Sequence, residues 1–478
     1  MTTSANQFGD FALFGLSRDF AATLAPKLAQ WGIVPQTVDF GEQGTLFAYT
    51  TYGDFIENES LFALKLGFAR TPGLTPLSTE QLVTQRILSP SHINQEGVRG
   101  NALLACLNKE KPELSIYQTL LATPQLYYTA INGDIICSSN QRVLVNLLDS
   151  PTLNEDVLPS HFLFQLAPGS LTYFQNVHRL FPGQHLYWKA GQLSINTVKT
   201  LSFVDLEETF YRSDEQAADQ IYEQFKAIIN LYLDDAAQAG NEAANLLSGG
   251  VDSALIQLVL NERDAETMPL NSYSYAVQVP GFEFEVTYAR EASQLFKTQH
   301  TITDIHPADF PAMISRAIET VAQPIPAEAD ACKIMMAEFL ASQENTPRLF
   351  LAGQAADAIY GMGLARKVAI FNLFQKIPAA SLALNSLSTI LQPASARTAH
   401  GLKEVATTLT ALDKPTTFEH WPNVVCTYTN LPLARRAFGD EDLQQALAYR
   451  RGLETTYLDS SNLAEKLHTI DLLTDGYE

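Results

Sequence analysis

One stretch limits the fold more than any other: Leu246-Leu247-Ser248-Gly249-Gly250-Val251-Asp252-Ser253. The apolar run over 243–247 reads as a buried strand, and the following residues carry helical spacing, with Leu255, Leu258 and Val259 on one face. Between them lie a Gly-Gly turn and three polar side chains. The unit is a strand, a phosphate-sized loop and a helix N-terminus. Glycines let backbone approach an anion closely, and the free N–H groups and dipole of a helix start favour negative charge. Ser248 and Ser253 add hydroxyls. Asp252 would repel phosphate by itself, so its expected role is to hold a Mg²⁺ ion that phosphate also binds. The stretch lacks the Lys of a G-x-x-x-x-G-K-S/T loop, which argues against a kinase-like phosphate site.

What surrounds this unit sets the architecture. Residues 1–205 are β-rich by pattern. They include a short strand over 11–15 and a hairpin, 126–131 and 134–138, around Asn132-Gly133. A short helix is expected over 141–148. Residues 203–212 read as the crossing into a second domain, 206–478, which opens with helical spacing over 217–232. Strands over 272–277, 300–305 and 349–352 then alternate with helices over 285–296, 307–321 and 329–342. Such alternation predicts a doubly wound parallel sheet of the α/β class, with its ligand at the carboxyl ends of the strands. Beyond residue 361 the pattern is mostly helical, with Pro393, Pro415 and Pro432 as expected breaks.

A second small-residue loop follows one of these strands: Ala352-Gly353-Gln354-Ala355-Ala356-Asp357-Ala358-Ile359-Tyr360-Gly361. Asp357 is a second carboxylate. Paired with Asp252 across the sheet crest, it would complete a Mg²⁺–pyrophosphate site. The plainer reading of Asp357 is a helix cap after a strand.

Bulk composition narrows the partners. The 478 residues carry a formal charge of −21, from 31 Lys+Arg against 52 Asp+Glu. This disfavours nucleic acid or an anionic membrane as the main partner. The four cysteines, Cys106, Cys137, Cys332 and Cys426, show no metal-type spacing and read as buried thiols in a reducing cytoplasm. No apolar run reaches the length of a membrane span, and no signal pattern opens the chain.

The S-G-G-x-D-S stretch resembles the pyrophosphate loop of the ATP pyrophosphatase superfamily. Both loops in this order, behind a β-rich first domain, resemble the asparagine synthetase family, which includes β-lactam synthetases and lasso-peptide cyclases. The resemblance implies an α/β chain whose first domain is a degenerate class II glutamine amidotransferase, an Ntn-hydrolase-like αββα sandwich. The second would be an ATP pyrophosphatase domain with added helices. It implies ATP and Mg²⁺ as ligands. Leu247, Ser248, Gly249, Gly250, Asp252, Ser253, Val277, Ala352 and Gly353 would bind ATP and pyrophosphate, with Asp252 and Asp357 on the metal. Leu247, Val277 and Ala352-Gly353 would offer backbone groups to adenine.

The departures from the family pattern shape the expected activity. Its second motif usually reads S-G-D/E-G-x-D-E-L/V-F-G-G; here Gly353, Asp357 and Gly361 match, while Gln354 and Ala358 replace acids. The family's D-E-P stretch, which carries a general-base Glu, falls at Ala322-Gln323-Pro324, leaving Glu319, Glu328 and Asp330 as neighbouring carboxylates. Glu319 is the provisional base. Phe11 falls where the amidotransferase nucleophile would be Cys, which implies that glutaminase activity is absent. The family also continues past a segment like 467–474 to a Lys that stabilises phosphate charge, whereas this sequence ends at Glu478. Lys333, Arg366 and Lys367 are the other cations available, with ordinary surface roles the plainer reading.

The expected activity is an AMP-forming amide ligase. It would act on small-molecule or peptide carboxylate and amine substrates, or on free ammonia, as a homodimer or with a complementary C-terminal polypeptide. A catalytically silent nucleotide-binding scaffold and half of a split ligase are the alternatives. A tRNA thiolase or NAD synthetase fits less well: the absent CxxC and basic patches disfavour thiolation, and the β-rich first domain disfavours both.

Overall fold

The computed structural model describes residues 11–16, 20–39, 45–50, 53–111, 113–119, 125–131, 134–189, 191–198, 201–202, 213–238, 240–264, 270–279, 283–325, 328–343, 347, 349–353, 373–409 and 431–459. The chain forms two compact units. One comprises 1–204, 320–324 and 358–478, the other 205–319 and 325–357.

The first unit contains two six-stranded sheets whose pairings are all antiparallel. Strict alternation along each strand builds the layers. In Ala12–Leu16, residues Ala12, Phe14 and Leu16 join Leu64, Leu103, Ile116 and Leu186 of the other sheet in a shared core. Leu13, on the opposite face, packs with Phe11 against Leu24, Leu28, Val143 and Leu144, which belong to helical segments outside the sheet. The second sheet's outer face is likewise covered, with Leu104 and Tyr117 packing near Leu82 of helix Thr79–Thr84. The order is helix, sheet, sheet, helix: the αββα sandwich that the resemblance implied.

The hairpin predicted around Asn132-Gly133 pairs Leu126–Ile131 with Asp134–Ser138, and helix Gln141–Leu147 follows it. Helices Leu431–Ala437 and Asp440–Tyr457 also belong to this unit. Their Leu431, Ala434, Leu443 and Leu447 pack against Leu163 and Phe164. The Arg450 guanidinium lies 4.5 Å over the Phe164 ring. A short parallel pair joins Leu201–Ser202 to Leu458–Asp459. Pro432 stands in the first turn of its helix rather than between helices, a position where proline's missing N–H costs nothing.

The second unit is the doubly wound sheet. Its strands are β1 (Ala243–Leu246), β2 (Asn271–Val277), β3 (Gln299–Ile305) and β4 (Leu349–Leu351), all parallel, in the spatial order β3-β2-β1-β4. Its helices are α1 (Asp214–Gln238), α2 (Val251–Asp264), α3 (Glu283–Phe296), α4 (Phe310–Val321) and α5 (Glu328–Ala341). One core lies beneath α1 and α2, where Ile229, Leu233, Ile256, Val259 and Leu260 meet Ala243, Leu349 and Leu351. Another joins α4 and α5 to Tyr275, Val277 and Ile305. The inner face of α2 is therefore Ile256, Val259 and Leu260, whereas Leu255 and Leu258, expected inward, are each 37% exposed. The sequence reading was displaced because the rest of the inner stripe is polar: Ser253 and Gln257 are buried.

Candidate functional site

From β1 the chain builds outward to β2 and β3, then returns to place β4 on the other side of β1. The direction of winding reverses between β1 and β4. Loops leaving the carboxyl ends of two such strands diverge and open a crevice. The loops after β1 and β4 are the two that the sequence singled out.

The first loop is braced from within. Leu247 is fully buried, and its N–H donates to the Tyr273 carbonyl at 2.9 Å, extending the strand by one residue. The Ser248 N–H then donates to Ser253 Oγ at 3.2 Å, the two hydroxyls lie 3.0 Å apart, and Gly250 N–H reaches Ser248 Oγ at 3.3 Å. Ser253, only 3% exposed, is thus a strut beneath the loop, while Ser248 stands exposed at its rim. Gly249 has φ +80°, and a Cβ there would fall 2.3 Å from the Tyr288 carbonyl carbon and 2.5 Å from Ala289 N. Only glycine fits both the conformation and the close approach to α3. Asp252 lies in the first turn of α2, half-buried, among the N–H groups that have no intrahelical acceptor.

The second loop reaches the first. Ala352 is exposed just after β4, and the next residue, Gly353, sits against the start of α2. A Cβ on Gly353 would lie 2.8 Å from Asp252 Cβ and 3.1 Å from Ser253 N. Loops more than a hundred residues apart in sequence therefore meet backbone to backbone at Asp252. Gln354, Asp357, Ala358, Tyr360 and Gly361, like Arg366 and Lys367, lie outside the described residues.

Other residues singled out are more scattered. Val277 ends β2 with its side chain in the core beneath α4 and α5, and its carbonyl accepts from Val279 N–H at 2.9 Å. Glu319 is exposed on α4, 3.8 Å from Arg316, which in turn donates from Nε to Glu338 at 2.7 Å. Asp330, by contrast, is 8% exposed in the first turn of α5 and accepts from Lys333 Nζ at 3.1 Å. Its neighbours Ala331 and Cys332 pack with Val277 and Ile305, the carboxyl ends of β2 and β3. Lys333 is thus tied to a carboxylate. The Glu328 side chain lies outside the described set.

Three features escaped the sequence reading. The Tyr288–Ala289 peptide forms the back wall of the glycine turn, and nothing local in sequence marks it. Buried Asn245 and Gln257 carry carboxamides into the interface between β1 and α2. Their signal was present: Asn245 interrupts an otherwise apolar strand.

The donor set suits a nucleotide's phosphate tail: a tight glycine turn, a helix start and an exposed hydroxyl. For a divalent ion it offers Asp252, and no cluster of three or more metal-ligating side chains occurs among the described residues. In the first unit, Phe11 is fully buried with its ring 5.0 Å from Tyr49, and it carries no nucleophile. Cys106, Cys137 and Cys332 are buried and in no disulfide. Burial pushes the Cys106 thiol up to about 12 and also raises Cys137. Among the described residues, no helix is long and apolar enough to cross a membrane.

Comparison with known proteins gives the site its context. Two solved structures are similar at 8% identity. One is the allosteric regulatory enzyme of purine biosynthesis, with TM-score 0.25, covering 63% of this chain and 76% of that one. The other is the glutamine phosphoribosylpyrophosphate amidotransferase of B. subtilis, with TM-score 0.24, covering 71% and 89%. Likeness that weak carries no argument. The sequence is also similar to asparagine synthetase [glutamine-hydrolyzing] 1 of Bacillus subtilis (strain 168), 22% identical over 255 residues. The match takes in 53% of this chain and 38% of that relative's length. Residues 232–468 match the asparagine synthase family model, a span that includes both crest loops. That stretch, residues 232–468, is an asparagine synthase domain by this match.

Proposed function

We propose that the protein is an ATP-dependent ligase that forms an amide bond with release of AMP and pyrophosphate. The observation that carries this reading is the contact of Gly353 with Asp252 at the switch point of a parallel sheet. A triphosphate lying across that crevice would meet the glycine turn and the start of α2 together. Asp252, with Asp357 from the second loop, would hold Mg²⁺, whose charge would offset that of departing pyrophosphate. A substrate carboxylate oxygen would attack the α-phosphorus, the bond to pyrophosphate would break, and an amine would then displace AMP from the acyl-adenylate. The exposed Ser248 hydroxyl and the backbone N–H groups of the turn would bind phosphate oxygens without reorganising, since the loop is already braced. Strand-end backbone at Leu247, Val277 and Ala352 would contact adenine.

The amine's proton needs an acceptor. Glu319 is exposed and faces Arg316, so its charge is largely spent in solvent. Asp330 is buried beside the strand ends and is the better-sited carboxylate. Phe11 in place of a nucleophile supports free ammonia or a substrate amine, rather than glutamine, as the nitrogen source.

The test is exchange of radiolabelled pyrophosphate into ATP, with a panel of candidate acids. Exchange with AMP and no ADP among the products supports the reading. Magnesium-dependent ATP binding with no exchange across the panel points instead to a nucleotide-binding scaffold, for which the replacement of acids by Gln354 and Ala358 speaks. No magnesium-dependent binding of ATP at all would sink both.

A further inference from the structure

A strand buried on both faces of a parallel sheet is ordinarily apolar. In β1 that rule is broken at Asn245, which is fully buried. Its Nδ2 donates to the Ser253 carbonyl at 2.9 Å and to Gln257 Oε1 at 3.1 Å. Gln257 Nε2 donates to Asn261 Oδ1 at 2.9 Å, and Asn261 Nδ2 donates to the Phe296 carbonyl at 2.7 Å, on the last residue of α3. Three carboxamides thus run head to tail, each donating to the next, from the strand through α2 to the end of α3. Ser253, Gln257 and Asn261 fall at i, i+4 and i+8 on α2, so the chain follows one stripe of the helix. Such chains polarise one another and strengthen cooperatively.

Both ends of this chain bear on the candidate site. At one end Asn245 grips the carbonyl of Ser253, the residue whose hydroxyl props Ser248. At the other, Asn261 fixes α3, whose Tyr288–Ala289 peptide walls the Gly249 turn. The arrangement is costly for mere packing. Asn245 Oδ1 is buried with no hydrogen-bond partner among the described residues, and a leucine there would avoid that desolvation. What leucine lacks is a directional grip on the helix.

We propose that Asn245 is a positioning residue for the Ser248–Ser253 loop. Its carboxamide, with Gln257 and Asn261 behind it, keys α2 and α3 to β1 so that the loop is set before nucleotide arrives. This rests on the ligase reading, and the experiment separates the two. The full chain is compared with Asn245→Leu, close in size and without donors, and with Gln257→Leu, which cuts the chain one step on. Three quantities are read: thermal midpoint, MgATP affinity by calorimetry, and deuterium uptake over 246–254.

The expected result for Asn245→Leu is a midpoint changed little, since shedding the orphaned Asn245 Oδ1 offsets the stranding of Gln257 Oε1, with faster uptake in the loop and MgATP affinity weakened about tenfold, the worth of roughly one hydrogen bond. Gln257→Leu should shift the same way by less. Wild-type uptake and affinity in both variants, or a fall in affinity only in step with the midpoint, overturns the proposal. If Asn245→Leu does not fold, Gln257→Leu decides alone by the same readings. If the wild type binds no MgATP, the ligase reading falls, and loop uptake alone decides the positioning role.

Discussion

Gly353 and Asp252 approach so closely that a single methyl group on the glycine would lie 2.8 Å from the aspartate Cβ. The neighbouring Ser253 N is only 3.1 Å away, so the crowding includes backbone of the first helical turn. Gly353→Ala must therefore separate the two loops by several tenths of an ångström. Overpacking of this kind costs about 1–3 kcal/mol. The expected outcome is a MgATP affinity lowered by about tenfold or more with a modest loss of stability. Calorimetry checks it, and unchanged affinity would separate the loop contact from nucleotide binding.

Gly249 makes a harsher demand. Alanine there meets both a positive φ and a backbone peptide at 2.3–2.6 Å, neither of which can rotate away. Left-handed strain alone costs about 1–2 kcal/mol, and the clash adds to it. Gly249→Ala is expected to lower the denaturant midpoint clearly, whereas Gly250→Ala, with only Ser248 Oγ at 3.3 Å, should be far milder. Equal midpoints for the two variants would contradict the back-wall geometry.

Asp252→Asn keeps size and removes charge. Its side chain is half-buried and takes no part in the bracing of the loop described above. Folding should be unaffected, while magnesium-dependent ATP binding should weaken by at least the roughly one to two orders of magnitude that loss of an outer-shell partner costs a metal site. Titration with ATP at varied Mg²⁺ reads this directly. In parallel, Asp330→Asn should depress amide formation more than Glu319→Gln does, and the reverse order would return the proton-acceptor role to Glu319.

The first unit carries a pH signature. Burial, assisted by the nearby charge of His92, pushes His185 down to about 4, and its Nε2 shares a hydrogen bond with the fully buried Ser115 hydroxyl. An unfolded histidine titrates near 6.5, so between roughly pH 6.5 and 4 the unfolded chain takes up a proton that the folded one refuses. The stability held above pH 6.5 is therefore lost as pH falls through this window, by an amount on the order of 2 kcal/mol from this group. His161 and His178 in the same unit, and His300 in the second, are also lowered chiefly by burial and act in the same direction. His185→Gln should flatten part of the loss between pH 7 and 5 in denaturant unfolding. A variant that tracks the wild type across that range would show that His185 contributes nothing to it.

The parallel sheet could be read in advance because apolar runs with turn residues between them repeat at β-α spacing, and the Gly-Gly turn announces a strand end and a helix start at once. The contact between Gly353 and Asp252 followed from winding order, which alternation alone suggests but does not fix. What stayed hidden was tertiary. Leu255 and Leu258 look like a buried face until Ser253 and Gln257 are known to occupy the inner stripe, because period counting assumes that buried means apolar. Sequence spacing also left Glu319 and Asp330 equivalent, whereas the fold exposes Glu319 on one helix and buries Asp330 on the next, each beside a cation.

The packing of helix Asp440–Tyr457 on Phe164 bears on how the protein can be divided for experiment. A fragment cut after residue 205 would strip Leu163 and Phe164 of their cover and leave Leu201–Ser202 without its partner strand. Expressed alone, such a piece would present a greasy, sticky flank, so either half of this chain is better studied with the other still attached.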